Sequence, residues 1–191
     1  MRTVRSRRVA VATGAVLAIL TLAFGAAADE AAPHRPSIHF AGGVPGDLQA
    51  LAAATWASFT DAFPARWDCV PDVTVSGAWQ FAVRADYDPA RRLVTIRIPG
   101  TAPNLRATLV HEFAHHLDFA CPDRDTLRRR FLAAQGFPPR TPWLTGPTWV
   151  EIPSEQFAEA AVQVVLRRPP RSLVVVRPAA LAAIRAWSHG R

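Results

Sequence analysis

Residues 111–115 read His111-Glu112-Phe113-Ala114-His115. In a helix, histidines four residues apart fall about 40° from one another around the axis, so both imidazoles reach one ion. Glu112 then stands about 100° from His111, close enough to take a proton from a water on that ion without being a ligand. Neutral imidazole suits Zn2+, and two of them with one carboxylate leave a position for water. With 6 His and five Glu in 191 residues, chance supplies about 0.005 such patterns per chain of this composition. The pattern therefore carries information.

A third ligand is required. Asp118 and Cys121 stand where the extended metzincin motif has Gly and His, so the ligand must lie elsewhere. Downstream, Ser154-Glu155-Gln156-Phe157-Ala158-Glu159-Ala160 puts Glu155 and Glu159 on one face of a predicted helix whose other face, Phe157, Ala161, Val164 and Val165, is apolar. Two carboxylates turned inward call for a cation or a donor. Glu155 in the first turn can bind the metal while Glu159, one turn on, accepts the spare N–H of a ligand histidine. The competing reading makes both residues acids that complement the helix dipole.

Together the two motifs resemble the gluzincin metallopeptidases, in particular the compact branch that includes the catalytic domain of anthrax lethal factor. In that branch an H-E-F-x-H-x-x-D helix precedes an E-x-F-A-E-A helix. The matching text is His111-Glu112-Phe113-Ala114-His115-His116-Leu117-Asp118 and Glu155-Gln156-Phe157-Ala158-Glu159-Ala160. The resemblance spans roughly residues 78–168. It implies His111, His115 and Glu155 as zinc ligands, Glu112 as general base, Glu159 as partner of a ligand histidine, and an edge strand over the cleft. It departs at one point. Family members often carry a Tyr about seven residues before the third ligand to steady the oxyanion, whereas this chain has Thr148 there, beside Trp149, and its one tyrosine is Tyr87. Oxyanion donors commonly contribute a large part of the rate; His116, His189 or an arginine remain open as substitutes.

Asp118 falls about 20° from His111 on the helical wheel and either orients a ligand or pairs with an arginine of the 128–130 run. His116 points about 100° from His115 and is not expected to be a ligand. His34 and His39 read as solvated, the arginine runs as solvated helix faces, and Trp143 and Trp149 as core more readily than as groove.

These residues need elements to hold them. Apolar spacing predicts a helix over 47–63 stopped by Pro64, and a hairpin of strands 79–84 and 93–98 joined by Asp86-Tyr87-Asp88-Pro89-Ala90 turn chemistry. A helix capped by Asn104 then carries the histidines to Cys121-Pro122. A second, capped by Asp123, runs over 124–135 and closes at Gly136; residues 137–153 form a loop; Ser154 caps a helix to 166; and a last helix covers 179–187. The order predicts an α+β protein: one compact zincin-like domain over 46–191, a small antiparallel sheet or hairpin over the His111–His115 helix, and further helices C-terminal to it.

All 22 basic residues are arginine, against 15 acids. Four of them precede the apolar run of residues 9–28, leaving 18 against the same 15 on residues 29–191. That excess is too small, with no basic stripe interleaved with aromatics, to support a nucleic-acid partner. A basic start, an apolar stretch and Ala26 and Ala28 before Asp29 predict a signal peptide over 1–28, followed by a linker over 29–45. Membrane attachment arises only if that segment stays uncleaved. Cys69 and Cys121, an even pair in an exported chain, predict a disulfide. The expectation is a secreted or cell-surface zinc metallopeptidase acting on a peptide or protein. The alternatives are a catalytically silent, metal-stabilised binding domain at the cell surface and a zinc amidase acting on a non-peptide amide.

Overall fold

The alternation in Val73-Thr74-Val75-Ser76 and Leu93-Val94-Thr95-Ile96 sends every second side chain to one face. Val73, Val75, Val94 and Ile96 on that face are completely buried. The computed structural model describes residues 34–167 and 173–191; the expected signal segment lies outside the described residues. Four strands, β1 (Ile38–Phe40), β2 (Val73–Ala78), β3 (Ala85–Asp88) and β4 (Leu93–Arg97), form one sheet in the order β1-β2-β4-β3. Five helices complete an α+β fold among the described residues: α1 (Gly46–Ala62), α2 (Ala102–Ala120), α3 (Arg124–Gln135), α4 (Pro153–Leu166) and α5 (Pro178–Ser188). None is long and apolar enough to cross a membrane.

The sheet corrects the sequence expectation of an antiparallel one. It is mixed: β1 pairs parallel with β2, β2 parallel with β4, and only β3 runs antiparallel to β4. β1 comes from the segment read as a linker; the Trp56 indole donates to the Pro36 carbonyl (2.8 Å) and Ser37 N–H to Asp72 (2.6 Å), which lays 38–40 beside β2. β2 is not marked in the sequence, because Pro71 just before it and Gly77 within it give the segment the look of a loop. The hairpin is present but shifted. Trp79 and Val83 are exposed, so the alternation over 79–84 has no face to bury, while Ala85 and Tyr87 turn inward opposite Ile96 and Val94. The turn follows at 89–92, with the Asp88 carboxylate accepting from the Ala90 and Arg91 N–H groups (2.9 and 3.1 Å).

Helix α2 is the axis of the molecule. It starts at Ala102, two residues before the expected cap, because extended Thr101 hands over to Pro103, whose fixed φ suits the first turn. Phe113 packs against Trp56 and Phe59 (centroids 4.8 and 5.7 Å), and Leu109, Val110, Ala114 and Leu117 are fully buried. Its C-terminal end is fixed three ways. The Cys69–Cys121 disulfide joins it to the segment before β2; a loop of that length contributes about 4 kcal/mol in the chain-entropy model, and such a bond fits an oxidising compartment outside the cytoplasm. Asp118, fully buried, accepts a bidentate pair from Arg128 (2.9 and 2.8 Å) and the Trp143 indole N–H (2.8 Å). His116, also fully buried, lies between Tyr87 (2.8 Å) and the Pro71 carbonyl (2.9 Å). Asp123, expected as the cap of α3, instead accepts from Arg66 (2.7 Å) and Trp187 (2.8 Å), while Gly136 closes α3 in the left-handed conformation (φ 84°).

Burial lowers the His116 pKa to about 4, with the Pro71 hydrogen bond opposing. The unfolded chain takes up the proton near the ordinary value of about 6.5, so between these values it binds more protons than the folded protein, and stability falls as pH drops. This one group should remove up to about 3 kcal/mol between pH 7 and pH 4. Urea unfolding of chelator-treated protein checks it: His116→Gln should flatten the pH slope, and an unchanged slope counts against the assignment.

Candidate metal centre

The i,i+4 spacing on α2 directs His111 and His115 toward α4, and the first turns of α4 bring Glu155 and Glu159 to meet them. The Nε2 atoms of His111 and His115 lie 3.2 Å apart; Glu155 Oε2 is 3.0 Å from His111 Nε2, and Glu155 Oε1 is 3.5 Å from His115 Nε2. Two ligands at 2.0–2.1 Å from one tetrahedral ion stand about 3.3 Å apart. The two imidazole nitrogens thus hold the spacing of two corners of such a polyhedron, each with a different oxygen of the Glu155 carboxylate beside it, and His111, His115 and Glu155 form a group that can hold a metal ion. On its other side His111 Nδ1 lies 3.1 Å from Glu159 Oε1. A carboxylate there makes Nδ1 the donor and leaves the Nε2 lone pair for the ion.

The electrostatics demand a positive charge. Burial opposes a charged His111 ring, but the hydrogen bonds to Glu155 and Glu159 and the fields of Glu112 and Glu155 prevail and push its pKa up to about 10. Burial likewise opposes ionisation of Glu155, yet the bonds to His111 and His115 hold it well below the usual carboxylate range. Glu112 differs. Almost wholly buried, it is raised chiefly by desolvation, with His111 and His115 pulling it down and Glu155 and Asp86 adding to the rise. It hydrogen bonds to none of the three donors. A carboxylate pushed up in this way is a better proton acceptor than an exposed one.

Trp149 was expected in the core. Instead it is 47% exposed and its indole stacks on the His111 ring (6.1 Å, 20°), whereas Trp143 is buried against Phe131 and Phe157. The Trp149 turn is seated by Gly146, where a Cβ would meet the Glu151 backbone at 2.9 Å, and by Thr148, whose hydroxyl donates to Glu151 (2.6 Å). Nothing in the sequence marks this Trp beyond its place six residues before Glu155.

The remaining candidates lie elsewhere. Of the two alternatives open for Asp118, orienting a ligand or pairing with an arginine, the structure shows the pair with Arg128. His116 is engaged by Tyr87 and Pro71. His189 follows α5 and lines an 890 Å³ groove with Arg167 and Arg185, to which no metal-site residue contributes. His39 pairs with Asp72 (3.2 Å).

Equilibrium dialysis should find about one divalent ion per chain, lost in Glu155→Ala and bound about 10–100-fold more weakly in Glu159→Ala. Because His111 carries a proton below about pH 10 in the metal-free protein, binding at pH 7.5 should release about one proton and weaken as pH falls. Calorimetry in buffers of different ionisation enthalpy measures that release; no release contradicts the assignment. Set against protein families, curated proteins and solved structures, the chain matches none of them.

Proposed function

We propose that this chain is an exported zinc-dependent peptidase of gluzincin type, with His111, His115 and Glu155 as the metal ligands and Glu112 as general base. The observation that carries the reading is the convergence of two imidazole nitrogens 3.2 Å apart on one carboxylate, whose two oxygens lie 3.0 Å from His111 and 3.5 Å from His115, beside a buried carboxylate that bonds to none of them. Two nitrogens and one oxygen are a donor set suited to zinc. When bound, the ion supplies Lewis acidity toward a carbonyl and makes water more acidic. Glu112 accepts the proton of the attacking water and returns it to the leaving amine. Glu159 holds His111 in the tautomer that faces the ion, and Trp149 shields that ring from solvent. Among the described residues β3 ends the sheet and pairs with β4 alone, which leaves its outer edge to pair with an extended peptide. A signal peptide over 1–28 and the Cys69–Cys121 bond favour work outside the cytoplasm.

One observation favours the second reading, a metal-stabilised binding domain without turnover. Tyr87 and His116 bond to each other, Thr148 bonds to Glu151, and among the described residues no arginine bonds to the site. None of these groups is then a ready oxyanion donor. An amidase acting on a non-peptide bond would use the same residues in the same roles.

Glu112→Gln separates the readings. It keeps shape and most hydrogen bonding but removes the base, typically worth about 10²–10⁴ in rate. Metal content should stay at the wild-type level while cleavage of a peptide library falls by at least about 10²-fold, and His115→Ala should lose both. Metal loss in Glu112→Gln makes Glu112 a ligand; wild-type protein that binds zinc and cleaves nothing leaves the binding domain.

A further inference from the structure

His116 directly follows a proposed ligand, yet its ring points into the protein and is fully buried. Its protons can be placed in one way. The Pro71 carbonyl only accepts, so His116 Nε2–H donates to it (2.9 Å). Nδ1 of the neutral ring then keeps its lone pair and accepts the Tyr87 hydroxyl (2.8 Å). The Tyr87 ring meets His116 edge-on (5.3 Å) and lies near Phe119 (6.2 Å), with Trp56 beside the imidazole (6.0 Å).

This chain of bonds adds a second hold to a short edge strand. β3 is four residues long and, among the described residues, pairs with β4 alone. Of its two inward residues, Ala85 and Tyr87, only Tyr87 has a side chain large enough to anchor the strand on α2. At its far end the chain reaches Pro71, two residues from Cys69, whose disulfide holds Cys121. The 69–71 segment therefore grips α2 at His116 and again just beyond its last residue, and β3 hangs from the first grip. β3 thus packs along α2, the helix that also carries Glu112 four residues before His116.

We infer that Tyr87 and His116 are positioning residues: the Tyr87–His116–Pro71 chain fixes the edge strand β3 relative to Glu112, so that a peptide paired along the strand's free edge is presented to the base in register. This rests on the hydrolytic reading proposed above. Neither residue touches substrate or ion. Their loss changes how the substrate is held more than the chemistry performed on it.

Tyr87→Phe keeps the ring and removes only the hydroxyl donor. In metal-loaded protein, amide exchange over residues 85–88 should speed up by about 5–10-fold, the loss of one hydrogen bond of ordinary strength. Zinc content should remain at the wild-type level, while KM for a cleaved peptide rises by about fivefold and kcat stays within about twofold. Unchanged exchange overturns the inference, because the bond then does not hold the strand. Faster exchange with KM and kcat both unchanged overturns the positioning role, and a fall in kcat at constant KM overturns it in favour of a role in the chemistry. Wild-type protein that cleaves nothing defeats the hydrolytic reading and with it the presentation of substrate, whereas the exchange arm still reports separately whether Tyr87 fixes β3.

Discussion

Three lone pairs pointed at one place repel one another unless a positive charge sits among them. His111 Nε2, His115 Nε2 and a Glu155 carboxylate oxygen are in that position, largely withdrawn from solvent. A proton on His111 or a metal ion relieves the repulsion, and an ion relieves it for all three donors together. Much of the surrounding structure keeps α2 and α4 at the separation this convergence needs. The Phe131, Trp143 and Phe157 cluster fills the space between α3, the 137–152 loop and α4. Asp118 and Arg128 lock α2 to α3, at a desolvation cost that the bidentate geometry and the Trp143 N–H offset.

Polar groups divide the surface of α2 into sectors with different duties. His111 and His115 face α4 and Glu155. Glu112 stands next to them, buried and without a bond to either. Phe113 and Leu117 face the aromatic core, and His116 faces β3 and Pro71. A rotation of the helix by a single residue would send each group to the wrong partner, and the Cys121 disulfide, the Asp118 pair and the His116 contacts each oppose such a rotation. The geometry of the candidate site thus depends on bonds made one to ten residues along α2 from His111 and His115, none of them to either histidine.

Residues whose meaning is local were legible in the sequence. The histidine spacing, the Glu155/Glu159 face, the Gly136 stop and the two cysteines all declare themselves through period, conformational need or count, and the ends of the helices that carry them lie within three residues of expectation. Features that depend on a distant partner were hidden. β1 and β2 are parallel neighbours from segments that look like linker and loop, since Pro36, Pro71 and Gly77 mask their alternation. Asp86-Tyr87-Asp88 looked like a turn because its acids favour turns; burial of Tyr87 against His116, 29 residues away, makes it a strand. Asp123 had the composition of a helix cap, but Arg66 and Trp187 claimed its carboxylate. Trp149 gave no sign that it would stack on His111, because a Trp in a proline-rich loop serves a core as readily as a site.

Zinc-edge X-ray absorption on protein purified from its own host without chelators reads the donor set at α2 and α4. The expected spectrum is that of about one zinc per chain with four light-atom ligands, two of them imidazoles at about 2.0 Å, and no sulfur near 2.3 Å, with one imidazole missing in His115→Ala. Zinc bound through sulfur, or an imidazole signal unaffected in that variant, would place the metal elsewhere and contradict the site built by α2 and α4.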